Sequence, residues 1–182
     1  MMIENFYLVS AKENLLRPNI TANPSDSLFE FVTNEEYKEY INNNPQGLKW
    51  EYAGKEIKLF ERPFSFFGLP TPDLMRVVVI YPYDHPVYSE PGNAVIYNAD
   101  GSIHLRLTVP KLVSPLAKQR ERFMKYEAPL KFYFDRRVRW AKNIKGEVIT
   151  AVTIGFDRDW LEERELDPET GEFGELLSSG RR

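Results

Sequence analysis

Alternation of apolar and polar residues sets the pattern of this chain, and it is clearest in residues 92–110, GNAVIYNADGSIHLRLTVP. Asn93 to Tyr97 is a β-prone run. Asn98-Ala99-Asp100-Gly101 follows with residues that tolerate positive φ, and Asp-Gly is a strong hairpin signal. On the returning segment Ile103, Leu105, Leu107 and Val109 share one face, and His104, Arg106 and Thr108 share the other. A strand with one apolar face needs a sheet and a layer to cover it.

The same reading places other elements along the chain. Phe6 to Val9 and Leu28 to Val32 are short strands, joined by a loop containing Pro18 and Pro24. Thr33 and Glu36 have capping-box spacing, and Tyr37, Tyr40 and Ile41 lie on one helical face, so residues 34–42 are predicted helical. Asn42-Asn43-Asn44-Pro45 ends that helix. Leu48 to Tyr52 and Glu56 to Phe60 flank Ala53-Gly54-Lys55 as a second hairpin. Six of the thirteen prolines fall between Arg62 and Gly92, where Met75 to Tyr81 is the one strand expected in an ordered wrapping loop. Ser114-Pro115 opens a helix over 115–126 with Leu116, Phe123 and Met124 turned inward. Leu130 to Trp140 and Gly146 to Phe156 are long strands, the second with Val148, Thr150, Val152, Ile154 and Phe156 on one face. Residues 157–161 form a turn or brief helix, 167–171 a polar turn, and Leu176 onward is expected to fray. Strands and helices do not alternate regularly, so the expected fold is α+β: a predominantly antiparallel β-sheet with two short helices. The expected organisation is a single domain over residues 1–166 and a polar C-terminal extension over 167–182.

Composition narrows the class. At 182 residues, 42% of them hydrophobic, the chain is long enough to fill one core. A formal charge of −3 gives no reason to expect a nucleic-acid or membrane partner. There is no cysteine, and MMIENFYLVSAKEN has neither a basic nor an apolar leader region, so a cytoplasmic protein is expected.

Charge is unevenly distributed. Residues 111–145 hold eleven Lys or Arg against three acids; residues 146–176 hold ten acids against Arg158 and Arg164. Either the two blocks neutralise each other across neighbouring strands, or one of them is a recognition surface for an oppositely charged partner. The basic block interleaves Arg136, Arg137 and Arg139 with aromatic residues. Alternation puts Phe132, Phe134, Arg136 and Val138 on one face, and Tyr133, Asp135, Arg137 and Arg139 on the other. That is a half-buried strand, which disfavours nucleic-acid binding. His85 and His104 are expected to be exposed, and no metal-ligand spacing, phosphate loop or nucleophile elbow is present, so no cofactor is expected. The carboxylates Asp157, Asp159, Glu162, Glu163, Glu165 and Asp167 read as a solvated run. Trp160 among them is a core anchor or an interface hot spot, with the anchor favoured.

Three stretches, NAVIYNADGSIHLRLTVP, IGFDRDWLEERELD and PETGEFGE, resemble small bacterial immunity proteins, the antidotes of polymorphic or contact-dependent toxin systems. The resemblance touches residues 75–110 and 145–175. It implies a β-rich or α+β fold, no enzymatic activity, and inhibition by covering a toxin's active site or a nearby surface. On this reading the partner is a cognate protein toxin, with no nucleic acid and no membrane; the oligomeric state stays open. The partner-binding surface is Asp157, Asp159, Trp160, Glu162, Glu163, Glu165, Asp167 and Phe173. Two alternatives stay open: a small hydrolase using carboxylates or His85, and a phage or secretion-system accessory protein.

Overall fold

The computed structural model describes residues 1–22, 30–31, 33–43, 45–124, 131–156 and 159–181. The expected α+β class is the observed one: antiparallel sheets with two ten-residue helices. Residues 4–60 supply β1 (Glu4–Ser10), β2 (Leu15–Leu16), β3 (Pro18–Asn19), β4 (Glu30–Phe31), α1 (Asn34–Asn43), β5 (Pro45–Tyr52) and β6 (Lys55–Phe60). Of these, β2-β1-β5-β6 make a first sheet, and β3 pairs with β4 apart from it. The second sheet is β7 (Phe67–Pro70), β8 (Arg76–Ile80), β9 (Ala94–Asn98) and β10 (Ile103–Arg106), in spatial order β10-β9-β8-β7. After α2 (Pro115–Met124), the third is β11 (Phe132–Lys142), β12 (Val148–Phe156), β13 (Trp160–Leu166) and β14 (Phe173–Arg181), in chain order.

Local chemistry explains the boundaries. Thr33 and Glu36 form the expected reciprocal cap: Glu36 N–H donates to Thr33 Oγ1 at 3.2 Å, and Thr33 N–H to Glu36 Oε2 at 2.9 Å. Ser114 Oγ accepts the Ala117 N–H at 3.2 Å and starts α2. Ala53 and Gly54 both take positive φ (52° and 71°), the turn that matches strand twist between β5 and β6. Leu28, Phe29, Val32, residues 125–126 and the side chains of Tyr37, Ile41, Phe123 and Met124 lie outside the described residues.

The second sheet is the middle layer. Val77, Val78, Val79 and Ile80 of β8 and Ala94, Val95 and Ile96 of β9 are all fully buried, so both faces are covered. Strands buried on both faces read as unbroken apolar runs. The first sheet touches it through β5 on β7, and the third through β11 on β7 and β8. One contiguous set of buried side chains draws on all three sheets, from Leu8 and Trp50 through Val78 to Phe134 and Ile154. Polar clips cross the layers, among them Trp50 Nε1–H to Ala99 O at 2.7 Å, Trp140 Nε1–H to Pro70 O at 2.8 Å, and Asn93 to the backbone of β11.

Several expectations need correction. The hairpin strand ends at Arg106, with its register slipped between Ile103 and Leu105; as a sheet edge it leaves Ile103 54% exposed, while Leu107 is buried. β7 lies inside the segment expected to hold only Met75 to Tyr81, because Phe67-Gly68-Leu69-Pro70 is too short to stand out between prolines. In β11, four steps from Phe134 to Val138 match two steps on β12; this bulge breaks the simple alternation and exposes Arg136. On β12, Val148 is exposed, and Ala151, Thr153 and Gly155 are buried together with the expected face. Trp160 begins a strand, where a turn or brief helix was expected. The tail from Leu176 does not fray, because residues 173–181 pair with β13.

Gly68 of β7 is pressed between its neighbour β8 and Leu48 of the first sheet. A Cβ there would lie 2.6 Å from the Val78 carbonyl oxygen and 2.8 Å from Leu48 Cδ1. Gly68→Ala is therefore expected to cost about 1–3 kcal/mol through overpacking, read as a lowered denaturation midpoint. An unchanged midpoint would show that the layers part freely there.

Candidate functional site

The third sheet carries most of the predicted site residues, and its register sorts them between two faces. Phe134, Val138, Val152, Ile154, Phe156 and Leu166 point into the core. In register with Ile154 and Val152 on β13 are Glu162 and Arg164, so these charges also lie on the core face. The opposite face carries Tyr133, Arg139, Ala151, Thr153, Gly155, Leu161, Glu163 and Glu165. Tyr133 lies over Gly155, where an added Cβ would sit 2.2 Å from its ring.

Glu162 is not a surface residue. It is 0% exposed, ion-paired to Arg164 at 3.1 Å, and accepts the Ser114 N–H at 2.8 Å and the Val113 N–H at 3.1 Å. Arg164 continues the network to Gly174 O at 2.7 Å and Phe173 O at 3.3 Å. A buried charge needs such partners, and here they bind β13 to the start of α2 and to β14. The expectation of a solvated carboxylate run fails at this position, because alternation on a paired strand turns every second side chain inward.

Glu163 is half-buried and held by Arg139 through two contacts, Nε to Oε1 at 2.7 Å and Nη2 to Oε2 at 2.8 Å. That hydrogen bonding raises the Arg139 pKa above its ordinary value. Arg76 pairs with Glu169, and Arg181 with Asp159 at 3.3 Å. Of these pairs, Arg139–Glu163 joins the basic block to the acidic one, whereas Arg76 and Arg181 lie outside both blocks. Trp160 is half-buried against the core, with the guanidinium groups of Arg120 and Arg181 6.0 and 5.8 Å from its ring. Phe173 stacks on Phe134 at 6.0 Å. Asp157 lies outside the described residues.

Two of the clefts bordering this sheet are lined by predicted site residues. The first, about 410 Å³, is lined by Asp73, Glu165 and Asp167 with Val148, Ile149 and Pro168 among its apolar walls, and its lining includes no Lys or Arg. The Glu169 N–H, hydrogen-bonded to Asp167, holds that carboxyl below its ordinary pKa; Thr170 and the nearby Arg76 add to the effect. No group of His, Cys, Asp or Glu among the described residues is arranged to hold a metal ion. The second cleft, about 320 Å³, is lined by Arg137, Arg139, Glu163, Leu161 and the Ser178–Arg181 end of β14. Asp73 and Arg181 were missed in the sequence because they come from a separate loop and strand, whereas Arg137 and Arg139 were read there as part of a half-buried strand. Reading residues 173–181 as a strand would have placed Arg181 beside β13.

His85 is buried, contrary to expectation. Its Nδ1 accepts the N–H of Val87 at 3.2 Å and of Tyr88 at 3.0 Å, so the ring proton sits on Nε2, 3.1 Å from Glu61 Oε2. Phe64, Tyr81 and Tyr88 pack around the ring, while Asp84 is exposed. Tyr81 and Tyr97 share a 2.7 Å hydrogen bond, and burial pushes the Tyr97 pKa up to about 12. His104 is half-buried, its Nε2 2.7 Å from Glu169 O. No helix among the described residues is long and apolar enough to cross a membrane.

No family model matches this chain, and no curated protein matches it. Among solved structures, it is similar to a chain from the structure of Tne2 in complex with Tni2. The TM-score is 0.62 at 11% sequence identity, over 100% of this chain and 99% of that one. That likeness shows a shared fold over the whole length.

Proposed function

We propose that this protein is a non-catalytic immunity protein that binds and neutralises a cognate bacterial toxin domain in the cytoplasm. The observation that carries this reading is the whole-length fold likeness to a chain solved in a two-protein complex. The resemblance over residues 75–110 and 145–175 points the same way. The docking surface is the third sheet and its end against the β7–β8 loop, where the acidic cleft of Asp73, Glu165 and Asp167 offers negative charge with no basic residue in its lining. Complementary potential of this kind steers and orients a basic partner. The hydrolase reading is disfavoured by His85, whose two ring nitrogens are both engaged within the fold.

The test is co-expression with the product of the adjacent gene, followed by affinity measurement and growth rescue. A tight complex that restores growth is expected. Charge reversal at Glu165 and Asp167 together is expected to weaken it by about tenfold or more, with a modest fall in melting temperature from the lost Glu169 and Thr170 bonds to Asp167. Unchanged affinity removes the acidic cleft from the interface. If no complex forms, the immunity function is wrong.

A further inference from the structure

We infer that the second cleft, between β11, β13 and β14, is a receptor for a carboxylate side chain on a loop of the protein partner. Arg137 and Arg181 are its binding groups. The inference rests on the immunity reading above and adds the chemistry of a second contact on the same sheet.

The floor of the cleft is built from small residues. Thr153, Ser178 and Gly180 lie in register around Leu161 and Glu163, and a Cβ added at Gly180 would meet nothing within 4 Å. Space a side chain would normally fill is therefore open. One wall is fixed: Glu163 is gripped by Arg139 through two contacts and also accepts the Ser178 hydroxyl at 3.3 Å, which engages its charge.

The other two arginines are held loosely. Arg137 has a contact through Nε, 3.5 Å from Asp135 Oδ2, and its side chain is 46% exposed. Arg181 reaches Asp159 at 3.3 Å and lies 5.8 Å from the Trp160 ring, and its side chain is still 66% exposed. A guanidinium carries about five N–H donors in a planar fork, so both keep donors for an incoming anion. That fork matches a carboxylate in bidentate geometry, which makes arginine the residue suited to this contact.

A nucleic-acid phosphate chain has similar oxygens but fits poorly here. It would have to run along a face that also presents Glu165 and Asp167, on a protein of net charge −3. A single Asp or Glu on a protein loop avoids that repulsion. The third sheet thus presents an acidic cleft and a basic one, and the partner surface should show the reverse order.

The experiment uses the full chain and the toxin domain from the adjacent gene, with affinity measured by titration calorimetry at low and moderate salt. Two variants are compared with the parent protein: Arg137→Ala with Arg181→Ala, and Gly180→Leu, which fills the open space. Both are expected to keep the parent melting temperature, weaken binding about tenfold or more, and, for the arginine pair, flatten the salt dependence. Arg137→Glu with Arg181→Glu should regain affinity for a toxin whose docking Asp or Glu is changed to Lys. Parent-like affinity in both variants overturns the carboxylate receptor and leaves the immunity reading standing. Failure of the unaltered protein to form any complex overturns both.

Discussion

Replacing Glu162 by alanine is expected to cost about 3–5 kcal/mol of folding stability, far more than an exposed carboxylate would. The size follows from what is left behind. Arg164 loses its counter-ion while buried, and the N–H groups of Val113 and Ser114 lose the carboxylate that accepts from both. An uncompensated buried charge and orphaned backbone donors are two of the costliest single defects in a folded chain. Glu162→Gln keeps one acceptor oxygen and should fall between alanine and the parent. Urea denaturation with a two-state fit reads the difference. A loss under about 1 kcal/mol would mean that water reaches the pair. Charge reversal at this position therefore cannot map a binding surface, because it would unfold the strand that carries the surface.

Asn93→Ala is expected to cost a comparable amount, about 3–5 kcal/mol, from three orphaned groups at roughly 1–3 kcal/mol each with partial relaxation. Asn93 is 2% exposed. Its Nδ2 donates to Tyr81 O at 2.9 Å and to Phe134 O at 2.8 Å, and its Oδ1 accepts the Phe134 N–H at 2.9 Å. One side chain thus satisfies the start of β11 and locks the third sheet onto the second. Asn93→Asp should be at least as damaging, since a carboxylate cannot donate to two carbonyls and would itself be buried. Besides the denaturation midpoint, amide exchange at Phe134 should accelerate sharply in both variants. Slow exchange retained at that amide would show another group holding β11.

How much of this was legible follows from the physics of each signal. The Asp-Gly and Ala-Gly turns, the Thr33–Glu36 box and the Ser114-Pro115 helix start are local, and each was read correctly in type and place. The apolar run from Val77 to Tyr81 announced a strand, and the structure explains why it does not alternate: the middle layer has no exposed face. What failed was non-local. Nothing near Glu162 in sequence reveals that Ser114 and Val113 will meet it, so a buried ion pair looked like part of a solvated acidic run. Nothing near His85 reveals Glu61. The bulge at Phe134 to Val138 shifted Arg136 and Arg137 relative to simple alternation, which hid the basic cleft. Glu165 and Asp167, which line a cleft, belong to the acidic run visible in the sequence; their neighbour Asp73 belongs to another sheet's loop and left no trace in the pattern.

The three sheets follow the chain without interleaving: residues 4–60 complete the first, 67–106 the second and 132–181 the third. A polypeptide leaving the ribosome can therefore finish each layer before the next has been synthesised, and the longest wait is within the first, where β1 pairs with β5 across α1. Short loop closures of this kind favour rapid assembly over the slow searches typical of sheets with crossed connections. The late step is docking, when Trp50 reaches Ala99, Asn93 reaches β11 and Glu162 reaches α2. Until then each nascent layer has an apolar face with nothing on it, so the interval between synthesis and docking is when this protein is most open to aggregation.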